Sequence, residues 1–146
     1  MNSTSGLLAW SPLANGVLTG KYQGKDSGHA GRMAKAEMKE FLPEEQRATR
    51  IISAVKSVSG QVGRSMARVS LAWLRYRPLP VIPLIGARRV LQLQDNLESL
   101  DLELSAEQLK SLDDASRIDV GFPYDLYSKE MIRASAYGGL RDRLVA

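Results

Sequence analysis

Residues 9–22 read Ala-Trp-Ser-Pro-Leu-Ala-Asn-Gly-Val-Leu-Thr-Gly-Lys-Tyr, and this stretch decides the fold. The apolar run from Leu7 to Trp10 predicts a strand. Ser11-Pro12 ends the strand, because proline has no backbone N–H to donate to a sheet. The residues after Pro12 therefore predict a loop at the carboxyl end of a strand.

The composition of this loop suits a ligand that carries phosphate. Gly16 and Gly20 let the backbone come close to a bulky partner, and Lys21 supplies a positive charge. Serine, asparagine and threonine add small polar groups that can hydrogen-bond to such a ligand. Plain surface turns have similar compositions, so composition alone leaves both interpretations open.

A second strand-to-helix corner is predicted between residues 81 and 96. The apolar run Val81–Ile85 predicts a buried strand in a parallel sheet that is covered on both faces. Gly86 ends the strand, and the next helix presents free backbone N–H groups and its positive dipole end there. Arg88 and Arg89 add guanidinium groups that suit phosphate oxygens. The alternative is an ordinary charged helix start on the surface.

Further polar residues follow Arg88 at helical spacing. They are Gln92, one turn along the predicted helix, and Asp95 and Asn96, two turns along. We expect these residues to line one side of a groove together with Arg88. The apolar residues of the same helix form a second stripe that is predicted to be buried, namely Val90, Leu93, Leu97 and Leu100.

Three more helices are predicted from capping and periodicity. The first helix starts at Pro43 and ends at Gly60 to Gly63. The second begins after Ser65, which is its predicted N-cap. The third opens with the capping box Ser105-Ala106-Glu107-Gln108. Their predicted core residues are Ile51, Ile52, Val55 and Val58 in the first, Met66, Val69, Trp73 and Tyr76 in the second, and Leu109, Leu112 and Ala115 in the third.

Composition limits the function. The chain has 146 residues, a formal net charge of +4, no cysteine and a single histidine, His29. A disulfide framework and a thiolate or multi-histidine metal site are thereby excluded within one chain, and no metal is expected. The basic residues are scattered among acids, so nucleic-acid binding is only a weak alternative. With no leader-like or membrane-spanning run, we expect a cytoplasmic protein without a membrane partner.

Both corners resemble segments of the aldo-keto reductases, a family of (β/α)8 barrel enzymes. The motif Trp10 to Lys21 is similar to the segment after the seventh barrel strand. The motif Ile82-Pro83-Leu84-Ile85-Gly86-Ala87-Arg88-Arg89, with Gln92, Asp95 and Asn96, is similar to the segment after the eighth strand. Barrel enzymes often build a phosphate site from these two loops. The resemblance implies an α/β fold that is the C-terminal portion of a TIM barrel, about the last two βα units plus the C-terminal helices.

The resemblance also implies a cofactor, NADPH, and the residues that hold it. Trp10 would stack on the nicotinamide, and residues 11–21 would lie along the pyrophosphate. Arg88 and Gln92 would hold the adenosine 2′-phosphate, with Asp95 and Asn96 near the adenine. The full expected set is Trp10, Ser11, Pro12, Leu13, Asn15, Gly16, Leu18, Lys21, Ile85, Gly86, Arg88, Gln92, Asp95 and Asn96. Many members have Lys-Ser where Gly86-Ala87 stand here, which leaves the choice of NADPH over NADH open.

No stretch matches the catalytic Tyr, Lys, Asp and His of the family, and Lys21, Tyr22 and Asp26 are not those residues. We therefore expect a single partial barrel domain that cannot reduce carbonyls alone. It would span residues 1–146, with a disordered lead (1–6), the last βα units and following helix (7–117) and a tail (118–146). Its partner would be the missing barrel segment or a second copy. The alternatives are a non-catalytic nucleotide-binding or assembly module and a truncated gene product.

Overall fold

The structure is a computed structural model that describes residues 5–21, 45–118 and 121–124. The chain divides into two units, Met1–Ser116 and Arg117–Ala146, and all elements and sites below belong to the first. Pro43, His29, Tyr22 and Asp26 lie outside the described residues, as do most of the predicted lead and tail.

Two short parallel strands form the sheet. β1 covers Leu7–Ala9 and β2 covers Val81–Pro83, with Leu7 opposite Val81 and Ala9 opposite Pro83. The ladder continues one residue further, because the Leu84 N–H donates a 2.9 Å hydrogen bond to the Ala9 carbonyl. Parallel strands end at the same sheet edge, so the segments that follow β1 and β2 start side by side.

The prediction of a strand buried on both faces was wrong for β2. Ile82 is 60% exposed, and Leu8 on β1 is 59% exposed. Within the described residues the sheet contains only these two strands and does not close. A parallel sheet needs layers on both faces and neighbours at both edges, and the described residues do not supply them. The described part is therefore a small α/β unit with an unclosed sheet, consistent with an incomplete barrel.

The described residues of this unit also form four α-helices: α1, Glu45–Val62; α2, Met66–Leu74; α3, Val90–Leu97; and α4, Ala106–Ser116. Two 3₁₀ helices cover Ala14–Thr19 and Glu98–Asp101. In the part of the chain that is described, no helix is long and apolar enough to cross a membrane.

Both predicted caps are confirmed. Ser65 accepts a 3.1 Å hydrogen bond from the Arg68 N–H, which caps α2. At the start of α4, the Ser105 N–H donates to Gln108 Oε1 at 2.9 Å and the Gln108 N–H donates to Ser105 Oγ at 3.3 Å. These reciprocal bonds form the capping box.

The core lies between α1, α2 and α4. Its buried side chains interlock from all three helices and from the segment before α4, and they are Val55, Val58, Val69, Ala72, Leu104 and Leu112. Val58 and Val69 are the largest side chains that are fully buried, at 1% and 0% exposure. The predicted apolar faces of these helices are therefore confirmed where they meet each other. The prediction was wrong for Tyr76, which lies beyond the end of α2 and is 37% exposed.

The predicted buried stripe of α3 was wrong. Val90 is 73% exposed, and Leu93, Leu97 and Leu100 are exposed as well. The pattern correctly indicates an apolar helix face, but burial needs a second surface to pack against. Among the described residues, α3 packs on α2 and on the 3₁₀ helix that follows it, and this leaves the face uncovered.

Candidate functional site

The loop after β1 has an uncommon backbone. Ser11, Ala14 and Asn15 adopt left-handed conformations, with φ of 50°, 48° and 55°, and Gly16 follows at 94°. Such conformations cost L-residues about 1 to 2 kcal/mol each, so the surrounding structure has to hold them in place. Clustered backbone strain of this kind is typical of ligand-binding segments.

Hydrogen bonds within the loop fix this conformation. Ser11 Oγ donates to Asn15 Oδ1 at 3.3 Å, and Thr19 Oγ1 donates to the Gly16 carbonyl at 2.7 Å. The end of the Lys21 side chain lies over Gly16, where an added Cβ would stand 2.5 Å from Nζ. Because φ is positive at Gly16 and the Lys21 ammonium lies close to it, a side chain at this position would be strained and crowded, which explains the glycine there.

The second corner leads from β2 into α3. Arg89 is the N-cap, in extended conformation at φ −133°, and its side chain makes no capping hydrogen bond. One residue earlier, the Arg88 N–H donates to Gln92 Oε1 at 3.0 Å. Gln92 therefore closes the turn from within the helix.

The two corners border one groove of about 920 Å³. This volume falls in the range of roughly 300 to 1,000 Å³ that is usual for small-molecule sites. The structure brings together here all of the predicted cofactor residues except Leu18: Trp10, Ser11, Pro12, Leu13, Asn15, Gly16, Lys21, Ile85, Gly86, Arg88, Gln92, Asp95 and Asn96. Residues some 70 positions apart in sequence meet because β1 and β2 are parallel neighbours.

Leu18 lies elsewhere. It lines a separate, mainly apolar cavity of about 440 Å³ between the 3₁₀ helix of the first loop and the helices behind it. Trp73 and Val55 line the same cavity. Leu18 therefore faces away from the groove, towards the helix layer.

The groove presents an exposed indole and several cations. Trp10 is 71% exposed, so the ring is not an apolar anchor packed at the strand end. Lys21, Arg88 and Arg89 all border the groove. Within the described residues, neither arginine forms an ion pair. An open aromatic ring at one strand end and cations around it suit a ligand with a flat ring and phosphate groups.

Asp95 also borders the groove, and both oxygens of its carboxylate already have protein partners. Ser65 Oγ donates to Oδ2 at 2.6 Å, and Arg68 donates to Oδ1 through Nε at 3.2 Å and through a terminal nitrogen at 2.8 Å. Arg68 also pairs with Glu98. These bonds join the start of α2 to α3.

The contribution of α2 to the groove was not predicted from the sequence. Ser65 and Ala67 line it together with the two corners. The N-cap signal identified Ser65 as a helix start, but no local pattern indicates that this start faces a groove formed by residues 20 to 50 positions away.

The chain also matches a known protein family. The model of the Aldo/keto reductase family matches residues 5–117, which include both corners and all four helices.

The chain is also similar to individual known proteins. The chain is 35% identical to the uncharacterized oxidoreductase YrpG of Bacillus subtilis over 109 residues, 75% of this chain and 31% of the relative. It is 32% identical to a probable voltage-gated potassium channel subunit beta of Arabidopsis thaliana over 103 residues, 69% and 31% of the two chains. It is 37% identical to an aryl-alcohol dehydrogenase [NADP(+)] of Phanerodontia chrysosporium over 79 residues, which are 53% of this chain and 20% of the relative. The chain thus spans less than a third of the length of these relatives.

Proposed function

The chain belongs to the aldo/keto reductase family of oxidoreductases, and from this we propose that it supplies the dinucleotide site of an NADPH-dependent carbonyl reductase. The family generally uses a nicotinamide cofactor. The proposal rests on the groove, because the two motifs that resemble aldo-keto reductase segments border one cavity of about 920 Å³. The name of the Phanerodontia relative, which includes NADP(+), supports the choice of cofactor.

The residues of the groove fit such a cofactor. The exposed indole of Trp10 offers a face for the nicotinamide ring, and the left-handed segment around Asn15 places backbone and small polar groups beside Lys21. At the other corner, Arg88 and the uncapped start of α3 suit the adenosine 2′-phosphate. Asn96, which is buried and borders the groove, would face the adenine.

The bound cofactor would supply the hydride, and this chain would bind and orient it. The proton for the carbonyl oxygen needs the Tyr, Lys, Asp and His set of the family. No stretch of this sequence matches those motifs, so we propose that this chain by itself does not reduce carbonyls.

We propose further that other βα units of a complete barrel cover the exposed strands and α3, and that carbonyl reduction, but not dinucleotide binding, requires them. Three findings support this: the unclosed sheet, the exposed apolar residues Leu8, Ile82 and Val90, and the length of the relatives. Exposed strand edges and apolar faces favour association, either with such a segment or with a second copy. A cytoplasmic location stays a prediction.

The proposal is tested by tryptophan emission during titration with NADP⁺. Trp73→Phe leaves Trp10 as the only indole, and we expect saturable quenching as the nicotinamide stacks on it. Trp10→Phe leaves Trp73, whose N–H bonds to Asp113 and which does not line the groove, and we expect its emission to stay constant. Unchanged emission of Trp10 up to millimolar NADP⁺ would refute the proposal.

A second candidate function is a dinucleotide-binding module without catalysis. The Arabidopsis relative, a probable channel subunit, favours it, because that protein is not named as an enzyme. Both functions predict NADP⁺ binding, and they differ in turnover. Reduction of an aldehyde by the chain together with a barrel-completing segment supports the reductase, and binding without reduction in that complex supports the module.

A further inference from the structure

We propose that Arg68 is a positioning residue that makes the groove selective for a 2′-phosphorylated dinucleotide, by neutralising the carboxylate of Asp95. This inference rests on the proposed function, since it concerns the same groove. Arg68 itself does not border the groove, and no sequence motif drew attention to it.

The first step is the position of Asp95. Its side chain is 31% exposed and borders the groove, three residues along α3 from Gln92. Residues at this spacing are neighbours on a helix face, with Cβ atoms about 5 to 6 Å apart. Gln92 in turn accepts the Arg88 N–H. An unpaired carboxylate at position 95 would therefore stand next to the corner that is expected to hold a phosphate.

The second step is the state of that carboxylate. Both of its oxygens accept hydrogen bonds, Oδ2 from Ser65 and Oδ1 from the Arg68 guanidinium. The Arg68 side chain is only 13% exposed, so solvent screens this pair less than a surface pair. The charge of Asp95 is thus offset by Arg68, which does not itself border the groove.

The third step is the charge that remains at the groove. With Asp95 paired, the side chains bordering it contribute the cations Lys21, Arg88 and Arg89. Glu98, the second partner of Arg68, is 55% exposed and does not border the groove. A 2′-phosphate carries close to two negative charges, whereas NAD⁺ has a neutral hydroxyl there. Loss of the Arg68 charge would therefore penalise NADP⁺ far more than NAD⁺.

The experiment measures the dissociation constants of NADP⁺ and NAD⁺ for the full chain by calorimetry. Arg68→Gln keeps a hydrogen-bond donor near Asp95 but removes the charge, and we expect the ratio of NADP⁺ to NAD⁺ affinity to fall about tenfold. Arg68→Lys, which restores the charge without the fork, should recover most of the ratio. Glu98→Gln, the matched control, removes the other partner of Arg68 and should leave the ratio unchanged.

A double variant separates charge from structure. Arg68→Gln combined with Asp95→Asn removes both charges, and we expect the affinity ratio to return to the wild-type value or above. If Arg68 only holds α2 against α3, Arg68→Gln weakens both ligands equally, thermal stability falls with them, and the inference is overturned. The double variant also decides the matter if Arg68→Gln does not fold, because a reduced ratio in it overturns the inference. Wild-type protein that binds neither dinucleotide refutes the proposed function itself.

Discussion

The indole N–H of Trp73 donates a 2.7 Å hydrogen bond to Oδ1 of Asp113 and so joins α2 to α4. The Arg77 guanidinium lies over the same indole, 3.8 Å from the ring centroid, and pairs with the same carboxylate oxygen at 2.9 Å. Asp113 therefore accepts from one donor on α2 and from a second on the segment that follows α2, both at one oxygen, at the rim of the core.

Asp113→Ala is expected to destabilise the chain by about 1 to 3 kcal/mol, because the indole N–H and the guanidinium both lose their acceptor. The control is Lys110→Ala, three residues earlier on the same helix. Lys110 pairs with Asp114 and its side chain is 76% exposed, and such a surface ion pair contributes about 0.2 to 1 kcal/mol at most. Urea unfolding followed by circular dichroism measures both, and equal losses would contradict the assignment of Asp113.

Burial predicts a large loss of stability for one Val→Ala substitution and almost no change for another. Val58→Ala removes two methyl groups at a site that is 1% exposed, and we expect a loss of about 2 kcal/mol. Val90→Ala makes the same chemical change at a site that is 73% exposed, and we expect a change within about 0.5 kcal/mol. Thermal unfolding of the isolated chain provides the comparison. A large loss for Val90→Ala would show that its helix face is already covered, for example by self-association.

Two glycines three positions apart also predict opposite signs. Gly60 lies inside α1, and Gly63 follows the helix with a φ of 62°; nothing lies within 4 Å of a Cβ added to either. Gly60→Ala is expected to stabilise the chain by about 0.5 to 1 kcal/mol through helix propensity. Gly63→Ala is expected to destabilise it by about 1 kcal/mol, since alanine resists the left-handed conformation. Chemical denaturation of the two variants tests this, and stabilisation by Gly63→Ala would mean that α1 ends differently.

Glu107 provides a pH-dependent prediction. The hydrogen bond from Ser105 Oγ, followed by a backbone hydrogen bond at Glu107 itself, lowers the pKa of this carboxyl below 4.5. The ionised form is thus favoured in the folded chain, so its contribution is present above the unfolded pKa and is lost as the pH falls through the folded pKa. We expect NMR titration of the Glu107 side chain to show a midpoint below 4.5. In Ser105→Ala the midpoint should move up, and an unmoved midpoint would exclude the Ser105 bond as the cause.

Local sequence patterns predicted the helices well because helices are held by local interactions. The caps at Ser65 and Ser105 form between residues three positions apart, and the apolar faces of α1, α2 and α4 follow from spacing alone. Both strands were also predictable, since apolar runs ended by Ser11-Pro12 and by Gly86 indicate short extended segments. The residues that border the groove were predicted from the family resemblance, and their roles in binding a ligand stay predictions.

The sequence by itself determined where the helices and strands lie and which residues are small, polar or charged at the two corners. Only the tertiary structure decided that these corners share one groove, that Leu18 turns away from it, and that Asp95 is paired with Arg68. It also decided that the apolar faces of β2 and α3 stay uncovered. The physical reason is that burial and charge pairing depend on what lies opposite in space, and a local pattern specifies only one of the two surfaces that must meet.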